Sequence, residues 1–383
     1  MKKSYKYIAA VLLLIPSFIA SAQNKKAEFS VKPTGRFYYE GAGFIEDDTK
    51  LSSGTTVNDV RLGLKANYGK WDMKIDLGFA KGKVSAKDIF LQYNFKKSSY
   101  FRAGHFAEPF GVDHMESSAN IKFITANASS FAFSPGRNLG LEYIGWGNKW
   151  WIAGGLFGDT KAMNGQEKGS MGFSGTSRFV FNPFTQDGKI LHLGLAGSLR
   201  RADANGIEDN SSLPRNIAFS SAILSNVDKT KAISSNVTNA NFQAKYAVEL
   251  LAACGPLFIQ SEYFHTNVKR KDDLTSYIAQ GVYGQIGVLA IGGDYSYSKS
   301  WARFANPKPG SLEFVARYNY TDLNRSKAGI YGGRINDWSF ATNYYLNKYV
   351  TLKVNYTGMK LGHESPLAGE TIHSIQGRLQ VVF

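Results

Sequence analysis

The chain has a single cysteine, Cys254, in 383 residues. One thiol cannot form an intrachain disulfide and leaves a structural zinc site without its commonest ligands. Its setting, Ala253-Cys254-Gly255-Pro256, is that of a tight turn and not of an activated nucleophile. Histidine is scarce as well. The six residues are scattered, with no His-Glu-x-x-His pair to grip a metal. Beyond the N-terminal segment no stretch reaches the roughly 18 consecutive apolar residues of a membrane-spanning helix. Helical periodicity is rare, low-complexity tracts are missing, and no repeat of roughly 20 to 50 residues emerges. Acidic residues are the minority: Asp and Glu number 30 against 45 Lys and Arg, a formal net charge of +15. Such an excess points to an anionic partner, whether nucleic acid, a membrane surface or a small anion.

The N-terminus carries a different kind of information. Lys2, Lys3 and Lys6 precede an apolar run from Tyr7 to Ile19, and Ala20-Ser21-Ala22 follows as a small-residue cleavage site before Gln23. These three zones in order read as a secretory signal over residues 1–22, with residues 23–383 as one exported domain. The run is too short for an anchor and is interrupted by Pro16.

What recurs from end to end is alternation with a period of two. Val60, Leu62, Leu64, Ala66 and Tyr68 share one face, with Arg61, Gly63, Lys65 and Asn67 on the other. After Gly69-Lys70, a hairpin connection, Trp71, Met73, Ile75, Leu77 and Phe79 alternate with Asp72, Lys74 and Asp76. The scheme returns at Phe242–Leu250 and again at Val350–Tyr356. Such strands suit either a soluble sandwich or a membrane barrel. A mean hydropathy of -0.25 does not decide between them, because alternating lipid-facing and lumen-facing residues average out.

Three features favour an all-β, transmembrane antiparallel barrel. Aromatics make up 14% of the chain and gather at strand ends, as in Tyr68 with Trp71 and in Tyr344, Tyr345 and Tyr349. Tight turns alternate with long polar connections. The C-terminus alternates to the last residue through Ile375, Gly377, Leu379, Val381 and Phe383, and resembles the signal read by outer-membrane assembly machinery. The expected location is therefore the outer membrane of a Gram-negative bacterium, after signal removal near Ala22.

Strand number follows from parity. Tight turns are expected near Gly69, Lys97, Gly147, Gly255 and Asn347 on the periplasmic side. Long loops are expected near Asp47, Pro109 to Arg137, Met163, Arg201 to Asn241, Lys271, Asn324 and His363. A closed single-chain barrel needs an even number of strands. Taking Tyr277 to Ile291 as one strand gives sixteen, at the cost of a long inner connection from Ser298 to Gly310.

Catalytic signatures are weak. Gly41-Ala42-Gly43 begins like a dinucleotide fingerprint, but Glu46 occupies the third glycine position and no helix follows. His363-Glu364-Ser365 has the spacing of a base and nucleophile on one strand, yet falls in an expected outer loop. No cofactor is expected. The basic residues say more. Arg36, Arg61, Lys65, Lys74, Arg102, Arg178, Lys245, Arg317 and Lys353 fall on the polar, lumen-facing side of their strands. Charges on the lipid face cost about 2–4 kcal/mol each at the midplane, which explains the placement by itself. A ladder of Arg and Lys along a pore also selects anions. Nucleic-acid binding would need aromatics grouped as a stacking platform, whereas here they alternate with aliphatics on the apolar face.

Several stretches resemble the phosphate-selective porin O and P family. They are Val60-Arg61-Leu62-Gly63-Leu64-Lys65, Phe101 to Phe110, Pro135-Gly136-Arg137-Asn138-Leu139-Gly140, Gly255 to Phe264, Leu312 to Tyr318, Gly332-Gly333-Arg334 and Tyr345-Leu346-Asn347. The resemblance implies a sixteen-stranded barrel, usually a homotrimer, with loops folded inward. It also implies passage of phosphate or polyphosphate along an arginine ladder, onto which Arg61, Arg102, Arg137 and Arg317 are carried by matching motifs. The expected partners are thus small anionic solutes, outer-membrane lipid and, through Phe383, the assembly machinery. The expected function is passive diffusion of small anions, with the loop from Phe110 to Pro135 narrowing the passage. The alternatives are a weakly selective general porin, an outer-membrane barrel hydrolase and a plugged structural barrel.

Overall fold

The computed structural model describes residues 28–158, 171–202, 207–208, 211–212 and 215–383. The segment 1–22 expected to be a signal peptide and the expected loop around Met163 lie outside these residues, as do parts of the expected loop from Arg201 to Asn241. Sixteen strands close into one antiparallel barrel, each bonded to its neighbours in sequence. They are Phe29–Glu46, Gly54–Tyr68, Trp71–Gly78, Ser85–Lys96, Ser99–Ala107, Arg137–Trp146, Trp150–Phe157 and Phe173–Gln186 in the first half. The second half holds Lys189–Arg201, Ala240–Cys254, Leu257–Arg270, Tyr277–Ile291, Leu312–Arg325, Ile330–Tyr344, Val350–Leu361 and Thr371–Val382. The seam joins the first strand to the last, from Arg36 opposite Val382 to Glu46 opposite Ile372. Phe383 extends it by exchanging two main-chain hydrogen bonds with Gly35, at 2.9 and 3.0 Å.

The expected sixteen strands are borne out, and Tyr277–Ile291 is indeed one strand. Its consequence, a long inner connection, is real and runs through residues 292–311. Two connections were not expected from the sequence: the tight turn at Asp187-Gly188 and the outer segment 79–84 between Gly78 and Ser85. Gly188 carries the turn with φ +66, as Gly69 and Gly255 do theirs with φ +60 and +57, a backbone conformation that favours glycine.

The alternation sorts side chains as expected. Leu62, Leu64, Phe179, Leu195, Ile286 and Val354 point outward and are exposed on the bare chain, which places them against lipid. Near the tight-turn end, a belt of rings runs round the wall: Trp71 and Tyr93 (4.8 Å), Tyr93 and Phe95 (5.5 Å), Phe95 and Phe101 (4.8 Å), Phe101 and Tyr143 (5.2 Å). This is the aromatic girdle of a membrane interface.

The lumen is unevenly filled. The loop after Ala107 folds inside, and a hairpin of Ile217–Ala222 with Lys231–Val237 packs upon it. Phe133 of the loop stacks on Phe264 of the wall (6.2 Å) and meets Phe219 of the hairpin (6.0 Å), which meets Tyr277 (5.5 Å). The inner connection 292–311 enters from the opposite side. There Trp151 donates to the Ser300 carbonyl, and Arg178 to that of Ala302. Inner side chains from Phe173 onward are consequently buried, among them Arg178, Glu249, Thr266 and Ser339. Along Gly54–Tyr68, Trp71–Gly78 and Ser85–Lys96, by contrast, Arg61, Lys74 and Gln92 keep contact with water.

Burial makes paired charges in the filled half structural. The Arg178 guanidinium grips Glu249 through Nε and Nη2, at 2.8 and 2.7 Å, with both side chains fully buried. Removing one partner of such a pair typically costs about 3–5 kcal/mol, because the other charge is stranded. Arg178→Met is therefore expected to lower the denaturation midpoint of the refolded barrel markedly. Arg178→Met with Glu249→Leu should recover most of the loss, as read by heat-modifiable mobility or urea titration.

Candidate functional site

A loop inside a barrel must have its main-chain groups satisfied, and this one is satisfied by the wall. The Glu262 carboxylate accepts from the backbone N–H of Val112 (2.7 Å) and Asp113 (3.0 Å), and from the Tyr283 hydroxyl (2.6 Å). Gly111, with φ +81, turns the chain into the short helix Val112–Met115. Asn127 caps the next, Ala128–Phe133, by accepting from Ser130 N (2.8 Å). From Ile121 to Phe133 the loop's carbonyls face cationic donors. Lys353 reaches Ile121 O (2.5 Å), Arg317 reaches Thr125 O (3.2 Å), Arg378 reaches Ile124 O, and Lys245 reaches Phe133 O (3.1 Å). Arg36 holds the hydroxyls of Ser117 (2.7 Å) and Ser118 (2.8 Å), while Lys122 of the loop pairs with Glu313 of the wall (2.7 Å).

The basic residues singled out in the sequence thus divide by neighbourhood. Arg36, Lys245, Arg317 and Lys353 hold the loop. Arg102 and Arg178 form buried ion pairs within the wall, Arg102 with Glu142 at 2.5 Å and over the Phe106 ring at 4.1 Å. Arg61, Lys74 and Arg137 belong to a chain of alternating charges on the wetted side. Asp59 lies 2.8 Å from Arg61, Asp76 lies 3.5 Å from Arg61 and 3.9 Å from Lys74, and Asp88 lies 2.6 Å from Lys74 and 2.8 Å from Arg137. Lys65 continues the same face toward the periplasmic end and is exposed, with no ion pair among the described residues.

Among the basic residues of the wall, Lys87 and Arg378 were not expected from the sequence, and Arg200 was suggested by composition alone. Lys87 escaped because the strand bulges: Ile75 pairs with Ile89 but Leu77 with Ala86, so Asp76 opposes both Lys87 and Asp88. Two successive residues then serve one face, which simple alternation forbids. Among the described residues no hydrogen bond or ion pair engages the Lys87 ammonium. Arg200 shares Glu108 with Asn138 and Thr176. Arg378, which also pairs with Glu40 at 2.8 Å, could have been found from its alternation with Gly377 and Leu379. Two cavities open here, of about 490 Å³ against Arg137, Arg200 and Lys245 and of about 330 Å³ against Arg61 and Lys229, and Lys87 borders both.

Other charges of the loop are muted. Enclosure and the Arg137 charge push His114 down to about 4, so it is neutral at physiological pH. Burial raises the Glu116 carboxyl above its usual range, partly offset by Arg303 of the inner connection, 3.1 Å away. Among the described residues no cluster of His, Cys, Asp or Glu is placed to hold a metal. The Ser365 hydroxyl donates to the Arg334 carbonyl at 3.2 Å.

The sequence of residues 31–383 matches the family described as phosphate-selective porin O and P. The chain belongs to that family of outer-membrane porins. No curated protein matches it in sequence. Solved structures similar in fold include an anion-selective porin from Comamonas acidovorans, at 12% identity and TM-score 0.60 over 93% of this chain and 100% of that one. OmpT of Vibrio cholerae in its trimer form gives 12% and 0.60 over 93% and 99%. The outer-membrane channel DcaP of Acinetobacter baumannii gives 12% and 0.57 over 95% and 100%. At such identities the likeness is one of fold.

Hydrogen bonds from charged groups contribute about 1.5–3 kcal/mol each. For this porin, removing two of them with Arg317→Met and Lys353→Met is expected to release the inner loop while the barrel persists. Single-channel recordings should then show larger, noisier openings with the heat-modifiable barrel band unchanged.

Proposed function

We propose that this porin lets small anions diffuse passively across the outer membrane, phosphate among them, along the wall formed by its first strands. The observation that carries the reading is the charge balance where water reaches that wall. Arg61, Lys65, Lys74, Lys87 and Arg137 outnumber Asp59, Asp72, Asp76 and Asp88, and neither Lys65 nor Lys87 is paired among the described residues. An excess of positive groups in a low-dielectric channel raises the local anion concentration, and several weak sites in series permit release. Arg61 and Arg137 add planar forks suited to phosphate oxygens. Membership of a phosphate-selective family and the fold shared with an anion-selective porin agree with this reading.

On the same reading the ten sequence-derived residues serve one pathway in different ways. Arg61, Lys65, Lys74 and Arg137 face the permeating ion. Arg36, Lys245, Arg317 and Lys353 hold the loop that narrows the passage, and Arg102 and Arg178 keep the wall's buried carboxylates neutralised. The protein carries out no covalent step and needs no cofactor. It functions as a homotrimer, in keeping with the trimer form of OmpT. Residues 1–22 are removed during export, and the assembly machinery receives the terminal strand, whose Phe383 closes the seam beside Gly35.

Refolded protein in planar bilayers under a KCl gradient should give a reversal potential on the chloride side, with phosphate reducing the current. A potassium-side potential would remove the anion reading. Lys65→Gln with Lys87→Gln should move the potential toward zero at about 0.1 M salt and change it little at about 1 M, where the Debye length falls from about 10 to 3 Å.

A further inference from the structure

The larger cavity is not lined the way a site for a bare inorganic anion would be. Its volume is about 490 Å³, within the roughly 300–1,000 Å³ typical of sites for organic molecules. The barrel wall supplies cations to it: Lys87, Arg137, Arg200 and Lys245. The inserted segments supply apolar surface instead. Phe133 and Pro135 come from the loop, and Ile217 and Phe219 from the hairpin that packs over it. The charge comes from the wall and most of the hydrocarbon from the loops, which also bring Ser134 and Asn216 to the lining.

Inorganic phosphate is polar on every side and gains nothing from a phenylalanine edge, since its oxygens need donors all round. An ion with a charged end and an apolar body matches both surfaces at once. We infer that this cavity is a binding site for amphipathic organic anions, with an aromatic carboxylate as the fitting class. The carboxylate lies toward Lys87, and the ring lies against Pro135, Ile217 and Ala218, where the almost fully buried Phe133 and Phe219 also border the cavity. The inference rests on the anion-pathway reading and narrows its substrate class at the outer half of the pore. Lys87 is the group best placed to take the carboxylate, since among the described residues its ammonium makes no hydrogen bond or ion pair and meets Asp59 and Asp76 only at longer range. Arg137 and Arg200 are already shared with Asp88 and Glu108.

The test compares benzoate, acetate and inorganic phosphate as blockers of chloride current through the full-length refolded porin. Burial of part of a phenyl ring should make benzoate half-block at about tenfold lower concentration than acetate, and also below phosphate. Ile217→Ser, a change on the half-buried hairpin edge, should erase the difference between benzoate and acetate while leaving acetate block as it was. Lys87→Gln should weaken block by both carboxylates. Equal block by benzoate and acetate, or stronger block by phosphate than by benzoate, in a channel that still prefers chloride overturns the inference and leaves the anion pathway standing. A channel that prefers potassium overturns the pathway and this site with it.

Discussion

A loop threaded into a barrel carries main-chain carbonyls into a space with little water, and the rest of this structure depends on how they are satisfied. An unbonded buried carbonyl is costly, and a buried ammonium or guanidinium without a partner costs more. Here each solves the other's problem. Lys353, Arg317, Arg378 and Lys245 stand on the wall with their charges turned to carbonyls between Ile121 and Phe133. The loop is thereby fixed against the strands of the second half, and the hairpin after Ala202 packs on its aromatic side. What remains open is the wall of the first strands, where alternating charges are paired loosely enough to meet water.

This division changes the meaning of a basic lumen. A count of inward Arg and Lys suggests a continuous ladder. In the folded chain a guanidinium that bonds a carboxylate and a carbonyl, as Arg178 does, is structural, and its field is largely cancelled within a few ångströms. Selectivity then rests on few groups, chiefly those whose charge no ion pair offsets. On the proposed pathway these are Lys65 and Lys87, which make no ion pair among the described residues, although Asp59 and Asp76 stand near Lys87. The excess is small, so the expected preference for anions is moderate and sensitive to salt.

The barrel itself was legible in the sequence because period-two alternation, turn chemistry and the terminal Phe383 all agree. Even the awkward inner connection followed from parity once Tyr277–Ile291 was taken as one strand. The interior was far less legible. Alternation says that Arg317 and Lys353 point inward, but not whether they meet an ion or a folded loop, because that depends on contacts nearly 200 residues or more away in sequence, such as Arg317 with Thr125. Lys87 was hidden by a bulge, which breaks the very rule used to find its neighbours. The apolar inner faces of Phe264 and Tyr277 looked like ordinary strand residues until the loop and hairpin supplied their partners.

The central claim is that ions travel along the wall of the first strands and not through the filled half. Replacing Cys254 with Ser and then introducing one cysteine at Gln92 or at Ser339 allows a charged thiol reagent to be applied during current recording. Gln92 lies on the wetted wall, and Ser339 is buried in the filled half. The account predicts a rapid, stepwise change in current at Gln92→Cys and none at Ser339→Cys. Modification and block at Ser339→Cys with Gln92→Cys silent would place the passage on the other side and contradict it.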